Sequence, residues 1–110
     1  MTVAFTLDGQ AFTALNGGPH HSFTEAVSFT IPCADQAEVD HYWDALTADG
    51  GQAGRCGWLQ DRFGLSWQVV PAALGELLGD PDPARAGRAM AAMLGMDRLL
   101  VAELRAAADG

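Results

Sequence analysis

The stretch that most constrains the fold is Arg55–Pro71, which reads RCGWLQDRFGLSWQVVP. It predicts two short β-strands, Cys56–Asp61 and Leu65–Val70, because apolar and polar residues alternate on either side of a glycine-containing turn. In the second strand a single amide, Gln68, lies between two apolar neighbours. The two-residue period of a strand places Gln68 on one face of the sheet and these neighbours on the other. The neighbours, expected on the core side, are Trp67 and Val69.

The preceding residues indicate a mixed α+β domain. A hairpin turn at Asp8-Gly9 predicts two strands, over residues 3–7 and 11–16. A third strand is expected at Ala26–Ile31, and Pro32 would end it. A helix should then begin at Asp35, because Asp35 and Glu38 have the spacing of a capping box, and glycines 50 and 51 would stop it.

Only helices are expected after Pro71. They are a short helix over residues 72–78, a helix from Pro83 to Leu94 with Asp82 as its N-cap, and a last helix over Arg98–Ala108 capped by Asp97. The side chains expected to face the core in the second of these helices are Met90, Met93 and Leu94. We therefore expect one domain over residues 1–110, in which residues 72–108 form a helical C-terminal extension.

Charge and composition exclude several classes of partner. The net charge is −8, and only six residues are Lys or Arg, too few for the basic surface that nucleic acid or an anionic membrane would need. The N-terminus lacks the pattern of a secretory signal, so we expect a cytoplasmic protein. In a reducing compartment Cys33 and Cys56 would be free thiols, although the sequence does not exclude a disulfide between them.

The two predicted hairpins echo each other. In both, an aromatic residue follows the turn glycine by three positions and a polar residue comes next. The two matching sets are Gly9, Phe12 and Thr13, and Gly64, Trp67 and Gln68. A duplicated β-α-β-β-β module would place equivalent hairpins at this spacing, and only the last hairpin of the first module would then be present.

Three segments and the tail resemble the PhnB-like branch of the glyoxalase/bleomycin-resistance (vicinal oxygen chelate) superfamily, whose members often carry a demethylubiquinone methyltransferase-type label. They read FTLDGQAFTALNGGPH, FTEAVSFTIPCADQAEVDHYWDAL, GRCGWLQDRFGLSWQVVP and LLGDPDPARAGRAMAAMLGMDRLLVAEL. The resemblance implies paired β-α-β-β-β modules that curl into a half-open, antiparallel-rich barrel with the ligand on its concave face. Family members usually begin with another strand, helix and strand. We therefore expect a domain shortened at its N-terminus, with its barrel completed in a homodimer.

The resemblance also locates positions that hold a metal ion in the metal-dependent members of the superfamily. Ser28, Gln68 and Thr13 match three of these positions, where His, Glu or Gln is usual. Neutral hydroxyls and one amide are poor ligands for a catalytic divalent cation. We therefore expect no metal and no other cofactor.

The residues expected to bind a ligand share the polar sheet face or lie beside it. They are Thr13, Ser28, Thr30, Trp58, Gln68 and His20. Two simpler interpretations remain open: the polar face is only solvent-exposed, and His20 belongs to a polar loop. No catalytic residue is assigned, because no spacing ties Glu25 or Asp61 to a nucleophile.

The leading hypothesis is a cytoplasmic, metal-free protein that binds a small molecule and works as a homodimer. The alternative is a metal-dependent lyase or dioxygenase-like enzyme, with a site that Gln68 and the partner chain complete. A third interpretation is a dimerisation or interaction module without a ligand. The sequence does not decide whether the protein is an enzyme.

Overall fold

A computed structural model describes the whole chain, residues 1–110, as six strands and four helices. The strands are β1 (Thr2–Leu7), β2 (Gln10–Leu15), β3 (Ser28–Cys33), β4 (Gln52–Ala53), β5 (Trp58–Gln60) and β6 (Ser66–Pro71). The helices are α1 (Gln36–Thr47), α2 (Ala72–Leu78), α3 (Pro83–Leu94) and α4 (Val101–Asp109). No helix is long and apolar enough to cross a lipid bilayer.

Strands β3 to β6 form the main sheet in the order β3-β6-β5-β4. β3 pairs with β6 in parallel, whereas β6 with β5 and β5 with β4 are antiparallel. The first and last strands of the segment are therefore neighbours, and α1 connects β3 to the other three. This is the β-α-β-β-β module that the sequence predicts, so the α+β fold class is confirmed.

Helix α1 covers one face of the main sheet. Its predicted N-cap is confirmed, because the Asp35 carboxylate accepts a bond of 3.0 Å from the backbone N–H of Glu38. The Glu38 carboxylate accepts a bond of 2.7 Å from the N–H of Ala34, one residue before the N–H that a capping box would use. The apolar stripe of α1 packs on residues of β5 and β6. This core consists of Cys33, Val39, Trp43, Leu59 and Val69, with Trp67 packed against it. The predicted core side of β6 is therefore confirmed.

Helices α2 to α4 enclose a second core. Its fully buried side chains include Ala89, Leu99, Leu104 and Ala108. The backbone joins this core to the main sheet at Cys56 and Gly57, whose N–H groups donate to the carbonyls of Met96 and Asp97 over 2.7 and 2.8 Å. The helical C-terminal segment is thus fixed against the sheet.

The predicted bounds of three elements are wrong. β5 covers only Trp58–Gln60, not Cys56–Asp61, because Cys56 and Gly57 have positive φ angles that a strand does not adopt. β3 starts at Ser28, not Ala26, and continues through Pro32, which is tolerated because β3 is an edge strand. α4 begins at Val101, not Arg98, and Asp97 is not its N-cap. Instead the side-chain oxygen of Gln36 accepts a bond of 2.7 Å from the backbone N–H of Val101.

The predicted packing of α3 is only partly correct. The helix has its predicted bounds, and the Asp82 carboxylate caps it by accepting from the N–H of Ala84. Met93 packs against the second core, but Met90 and Leu94 are 42% and 56% exposed. The small residue Ala89 faces the core in their place, because α2 and α4 approach that side of α3 closely.

Strands β1 and β2 form a separate two-stranded sheet that pairs with no other strand. Only Phe12 of their twelve residues is not exposed. The Phe12 ring contacts the Phe29 ring of β3 edge-on, at 5.8 Å between centroids, and Phe29 contacts Trp67 at 5.5 Å. This row of aromatic rings connects the hairpin to the side of the main sheet that α1 covers.

Candidate functional site

The face of the main sheet opposite α1 carries polar side chains in two aligned rows. Pairing between β3, β6 and β5 places residues of the three strands side by side. One row is Thr30, Gln68 and Trp58, and the other is Ser28, Ser66 and Gln60. Because cross-strand partners point to the same side of a sheet, these six side chains share one face. We call this surface the polar face.

A hydrogen bond connects the two rows. The side-chain amide of Gln68 donates to the hydroxyl oxygen of Ser28 over 3.0 Å. Both residues are half-buried, and they are diagonal neighbours across the parallel pair of strands. The bond restricts the rotamers of both side chains, so the Gln68 carboxamide has a defined orientation.

A concavity of about 490 Å³ lies over part of the polar face, and we call it the polar pocket. Its lining consists of Glu25, Gln52, Ala53, Gly54, Trp58, Leu59, Gln60 and Ser66. The Glu25 carboxylate reaches it from the loop before β3 and accepts a hydrogen bond of 3.0 Å from the Gln60 side chain. A loop residue and a strand residue that are distant in sequence thus share one wall.

The lining suits an uncharged or cationic organic molecule better than an anion. Glu25 supplies a carboxylate, Gln52 and Gln60 supply amides, and no Lys or Arg contributes to the wall. The Trp58 indole is 37% exposed and offers an apolar surface for stacking. A small number of fixed polar groups beside an aromatic ring is typical of small-molecule sites.

The predicted ligand-binding residues fall into two groups. Ser28, Thr30, Trp58 and Gln68 lie together on the polar face. Thr13 lies on β2, opposite Ala4 of β1, and belongs to the separate hairpin. His20 lies in an exposed loop. Of the six predicted residues only Trp58 lines the polar pocket; Ser28, Thr30 and Gln68 lie on the same sheet face but outside the lining.

Sequence reasoning did not assign the four polar residues of the pocket lining, Glu25, Gln52, Gln60 and Ser66, to the ligand site. The signal for Gln60 was present, because it follows Trp58 by two positions and must share its face of β5. No comparable signal exists for Glu25, which meets Gln60 across 35 positions of sequence.

Asp61 has a structural role. Its carboxylate accepts from the backbone N–H groups of Phe63 and Leu65, over 2.9 and 3.1 Å, and from the indole N–H of Trp67 over 2.9 Å. These bonds hold the turn between β5 and β6 and orient the Trp67 ring. Both carboxylate oxygens of Asp61 already accept hydrogen bonds within this turn, so Asp61 is a poor general base.

The two thiols are not bonded to each other. Burial raises the pKa of the Cys33 thiol, and the carboxylates of Glu38 and Asp35 raise it further. A thiol of raised pKa carries little thiolate at neutral pH and is a poor nucleophile or metal ligand. Cys33 is therefore a core residue of the sheet.

A second concavity, of about 630 Å³, lies at the other side of the molecule, between the β1–β2 hairpin and the outer edge of β3. We call it the apolar groove. Its lining consists of Leu7, Asp8, Phe12, Phe29, Thr30, Ile31, Pro32, Glu38, Tyr42, Leu46 and Trp67. It differs from the polar pocket in having mostly apolar and aromatic walls.

Comparison with known proteins matches this chain to one family and to solved structures of the same fold. The family model described as 3-demethylubiquinone-9 3-methyltransferase matches residues 1–70, from the first hairpin to the end of the main sheet apart from Pro71. No curated protein matches the sequence.

Solved structures resemble the chain, and two of them illustrate the similarity. One is described as a putative 3-demethylubiquinone-9 3-methyltransferase, PhnB protein, from Bacillus cereus; it is 28% identical, with a TM-score of 0.59 over 66% of this chain and 64% of that one. The other is protein PA1353 from Pseudomonas aeruginosa, 20% identical, with a TM-score of 0.52 over 64% of this chain and 62% of that one. The chain thus spans slightly less than two thirds of either relative.

Proposed function

Because this chain belongs to the PhnB-like family described as 3-demethylubiquinone-9 3-methyltransferase, we propose that its polar face binds a small organic molecule without a metal ion. The observation that carries the proposal is that the polar pocket, lined by Trp58, Gln60 and Ser66, lies on the same sheet face as the hydrogen-bonded pair of Gln68 and Ser28. A surface that only contacts solvent does not need a pocket of this size or amide side chains held by hydrogen bonds.

The donor chemistry of the polar face supports the metal-free part of this proposal. No group of three or more His, Cys, Asp or Glu side chains is arranged so that it could hold a metal ion. Ser28 and Gln68 offer a hydroxyl and an amide, and they are bonded to each other. These residues do not fit a catalytic divalent cation, which favours imidazole and carboxylate ligands.

Methyl transfer, the activity in the family description, gains no support from the residues of this chain. An adenosyl cofactor would call for a glycine-rich turn between a strand and a helix. The glycine pair that follows strand β2, Gly17-Gly18, leads into an exposed loop and not into a helix. We therefore keep the proposal at binding and assign no reaction.

The proposed ligand presents hydrogen-bond donors to Glu25 and to the amide oxygens, and stacks an apolar or aromatic part on Trp58. The compartment that we propose is the cytoplasm, where the unbonded thiols Cys33 and Cys56 would stay reduced.

A thermal-shift screen of metabolites tests the proposal. We expect at least one compound to raise the melting temperature of the wild-type chain, since a ligand that binds only the folded state stabilises it. Gln60→Leu and Trp58→Ala should each raise about tenfold the ligand concentration that is needed for the same shift, because each removes a contact worth about 1.4 kcal/mol. Thr6→Val on the distant hairpin is the control and should leave it unchanged. A screen in which no compound stabilises the wild type would contradict the proposal.

Elemental analysis of protein purified without chelators separates the proposal from the enzyme alternative. We expect no transition metal in stoichiometric amount. Stoichiometric zinc, nickel, manganese or iron would favour a lyase or dioxygenase-like enzyme with a metal held partly by Gln68 and partly by another chain.

A further inference from the structure

One polar side chain of the polar pocket is buried and has no hydrogen-bond partner in the chain. Ser66 is 2% exposed and is the only buried residue with a polar side chain. Its neighbour Gln60 on β5 donates to Glu25. Its neighbour Ser28 on β3 accepts from Gln68. Every polar side-chain atom that is closed off from solvent has a partner, so the unpartnered hydroxyl of Ser66 opens into the pocket that Ser66 lines.

The Ser66 hydroxyl sets a requirement for any ligand that fills the pocket. Water satisfies a hydroxyl of this kind in an open pocket, whereas a ligand that displaces the water must replace its hydrogen bond or lose affinity. Because Ser66 is far less exposed than Trp58, it lies deep in the pocket. We therefore expect the ligand to carry a polar group at its buried end.

The only ionisable side chain in the pocket lining is a carboxylate. The Oε1 atom of Glu25 accepts the bond of 3.0 Å from Gln60, and Oε2 remains open to a ligand. The other polar residues of the lining are neutral, so an anion would meet this carboxylate with no positive group to offset it.

None of the six arginines lines the pocket. Arg55 follows the lining residue Gly54 but is exposed and does not contribute to the wall. Arg62, Arg85 and Arg98 pair with aspartates elsewhere. The net charge of −8 adds a field that attracts cations to the molecule and repels anions from it.

Trp58 and the size of the pocket favour a cation with an organic body. The face of an indole ring attracts positive charge, and the attraction grows as the cation loses water. A volume of about 490 Å³ is larger than an ammonium group fills and is in the range of sites for small organic molecules. A neutral molecule of this size would cover the Glu25 carboxylate without supplying an opposite charge.

We propose that the polar pocket prefers organic cations, small molecules that carry a protonated primary or secondary amine beside an apolar or aromatic body. The inference rests on the proposed function, since it names the class of ligand that the polar face binds. The ammonium group donates hydrogen bonds to Glu25 and to the hydroxyl oxygen of Ser66, and the organic body packs on Trp58.

Three probes of nearly equal size separate charge from shape: phenethylamine, phenethyl alcohol and hydrocinnamate. In NMR titrations of the wild-type chain we expect the amine to bind about fivefold or more tightly than the alcohol, and the carboxylate to bind most weakly. Added salt should weaken binding of the amine and not of the alcohol, because it screens only the charged pair.

The signals of Trp58 and Gln60 decide between the outcomes. Equal or tighter binding of the alcohol or the carboxylate at these residues would overturn the charge preference and leave the proposed function standing. Failure of all three probes to move these signals would overturn the preference as well. The metabolite screen decides the proposed function separately, because it does not depend on the charge of the compound.

A pair of matched variants locates the charge that the amine recognises. Glu25→Gln removes the charge and keeps an oxygen that accepts from Gln60, so it should weaken binding of the amine about fivefold and leave the alcohol unaffected. Glu76→Gln, on the exposed side of α2, changes the net charge equally and should alter neither affinity. Equal losses in both variants would assign the preference to the net charge of the chain and overturn the assignment to the pocket.

Ser66→Ala tests the contact at the buried end of the ligand. It should weaken binding of the amine about fivefold, the effect of one lost hydrogen bond. It should not lower the melting temperature of the free protein, because the hydroxyl has no partner within the chain. Ser28→Ala, the same change on the same face, breaks the bond from Gln68 and should lower it. An affinity for the amine that Ser66→Ala leaves unchanged would overturn this contact.

Discussion

The side-chain amide of Gln68 on β6 donates a hydrogen bond of 3.0 Å to the hydroxyl oxygen of Ser28 on the neighbouring strand β3. The two residues occupy the first and last strands of the β-α-β-β-β module, and these strands pair directly because the module folds back on itself. The sequence resemblance matches each of these two positions to a metal ligand in the metal-dependent members of the superfamily. In this chain the two groups bond to each other.

A double-mutant cycle measures this bond. We expect Gln68→Leu and Ser28→Ala to show a coupling free energy of about 0.5–1.5 kcal/mol in chemical denaturation, the usual contribution of a neutral hydrogen bond. The control pair is Gln68 and Thr30, which are in register but share no side-chain bond. Additive effects of the Gln68 and Ser28 substitutions would show that the bond does not form in solution.

Gly57 connects the main sheet to the helical segment and should not accept a side chain. Its φ is +86°, and an added Cβ would lie 2.9 Å from Leu99 Cδ1 and 3.0 Å from the carbonyl oxygen of Val69. Gly57→Ala should lower the free energy of unfolding by about 1–3 kcal/mol. Gly75→Ala, in α2 with open space around the added carbon, should instead raise it by about 0.5–1 kcal/mol. Equal effects of the two substitutions would refute this account.

Gln36 on α1 replaces the missing N-cap of α4. Its side-chain oxygen accepts from the N–H of Val101, and its nitrogen donates to the carbonyl of Leu99 over 3.1 Å. Gln36→Ala should cost about 1–3 kcal/mol, because both half-buried backbone groups lose their side-chain partner. Amide exchange in the first turn of α4 should also accelerate. His41→Ala, an exposed change on the same helix, should do neither.

Asp80 should contribute stability that depends on pH. Hydrogen bonds from the backbone N–H of Asp82 and from Arg85 lower the pKa of its carboxyl. Because the folded-state pKa lies below the unfolded value of about 3.9, the stabilisation is complete above that pH and disappears as pH falls through the folded pKa. Asp80→Asn should therefore lower the melting temperature at pH 7, and the difference should vanish at strongly acidic pH. A difference that persists there would contradict the assignment.

Local signals predicted much of the fold. The starts of α1 and α3 were predicted correctly from Asp35 with Glu38 and from Asp82 with Pro83. A helix cap depends on residues only a few positions apart, so the sequence shows it directly. The alternation around Gln68 identified both faces of β6 for the same reason. The strands of the polar face also brought four of the six predicted site residues to one surface.

Contacts between distant residues could not be predicted in this way. Gln36 caps α4 across 65 positions, so Asp97 looked like the better cap in sequence. Glu25 joins the polar pocket only because the loop before β3 folds over β5. The exposure of Met90 and Leu94 depends on how closely α2 and α4 approach α3. The spacing of these two residues within α3 carries no information about that approach.

The most direct test of ligand binding at the polar face is a two-dimensional NMR titration of the wild-type chain with a library of small organic fragments. We predict that bound fragments shift the side-chain amide signals of Gln60 and Gln68 and the indole signal of Trp58, while the indole signal of Trp43, buried in the core, moves little. Fragments that bind only elsewhere, or none that moves the Gln60, Gln68 and Trp58 signals, would contradict the account.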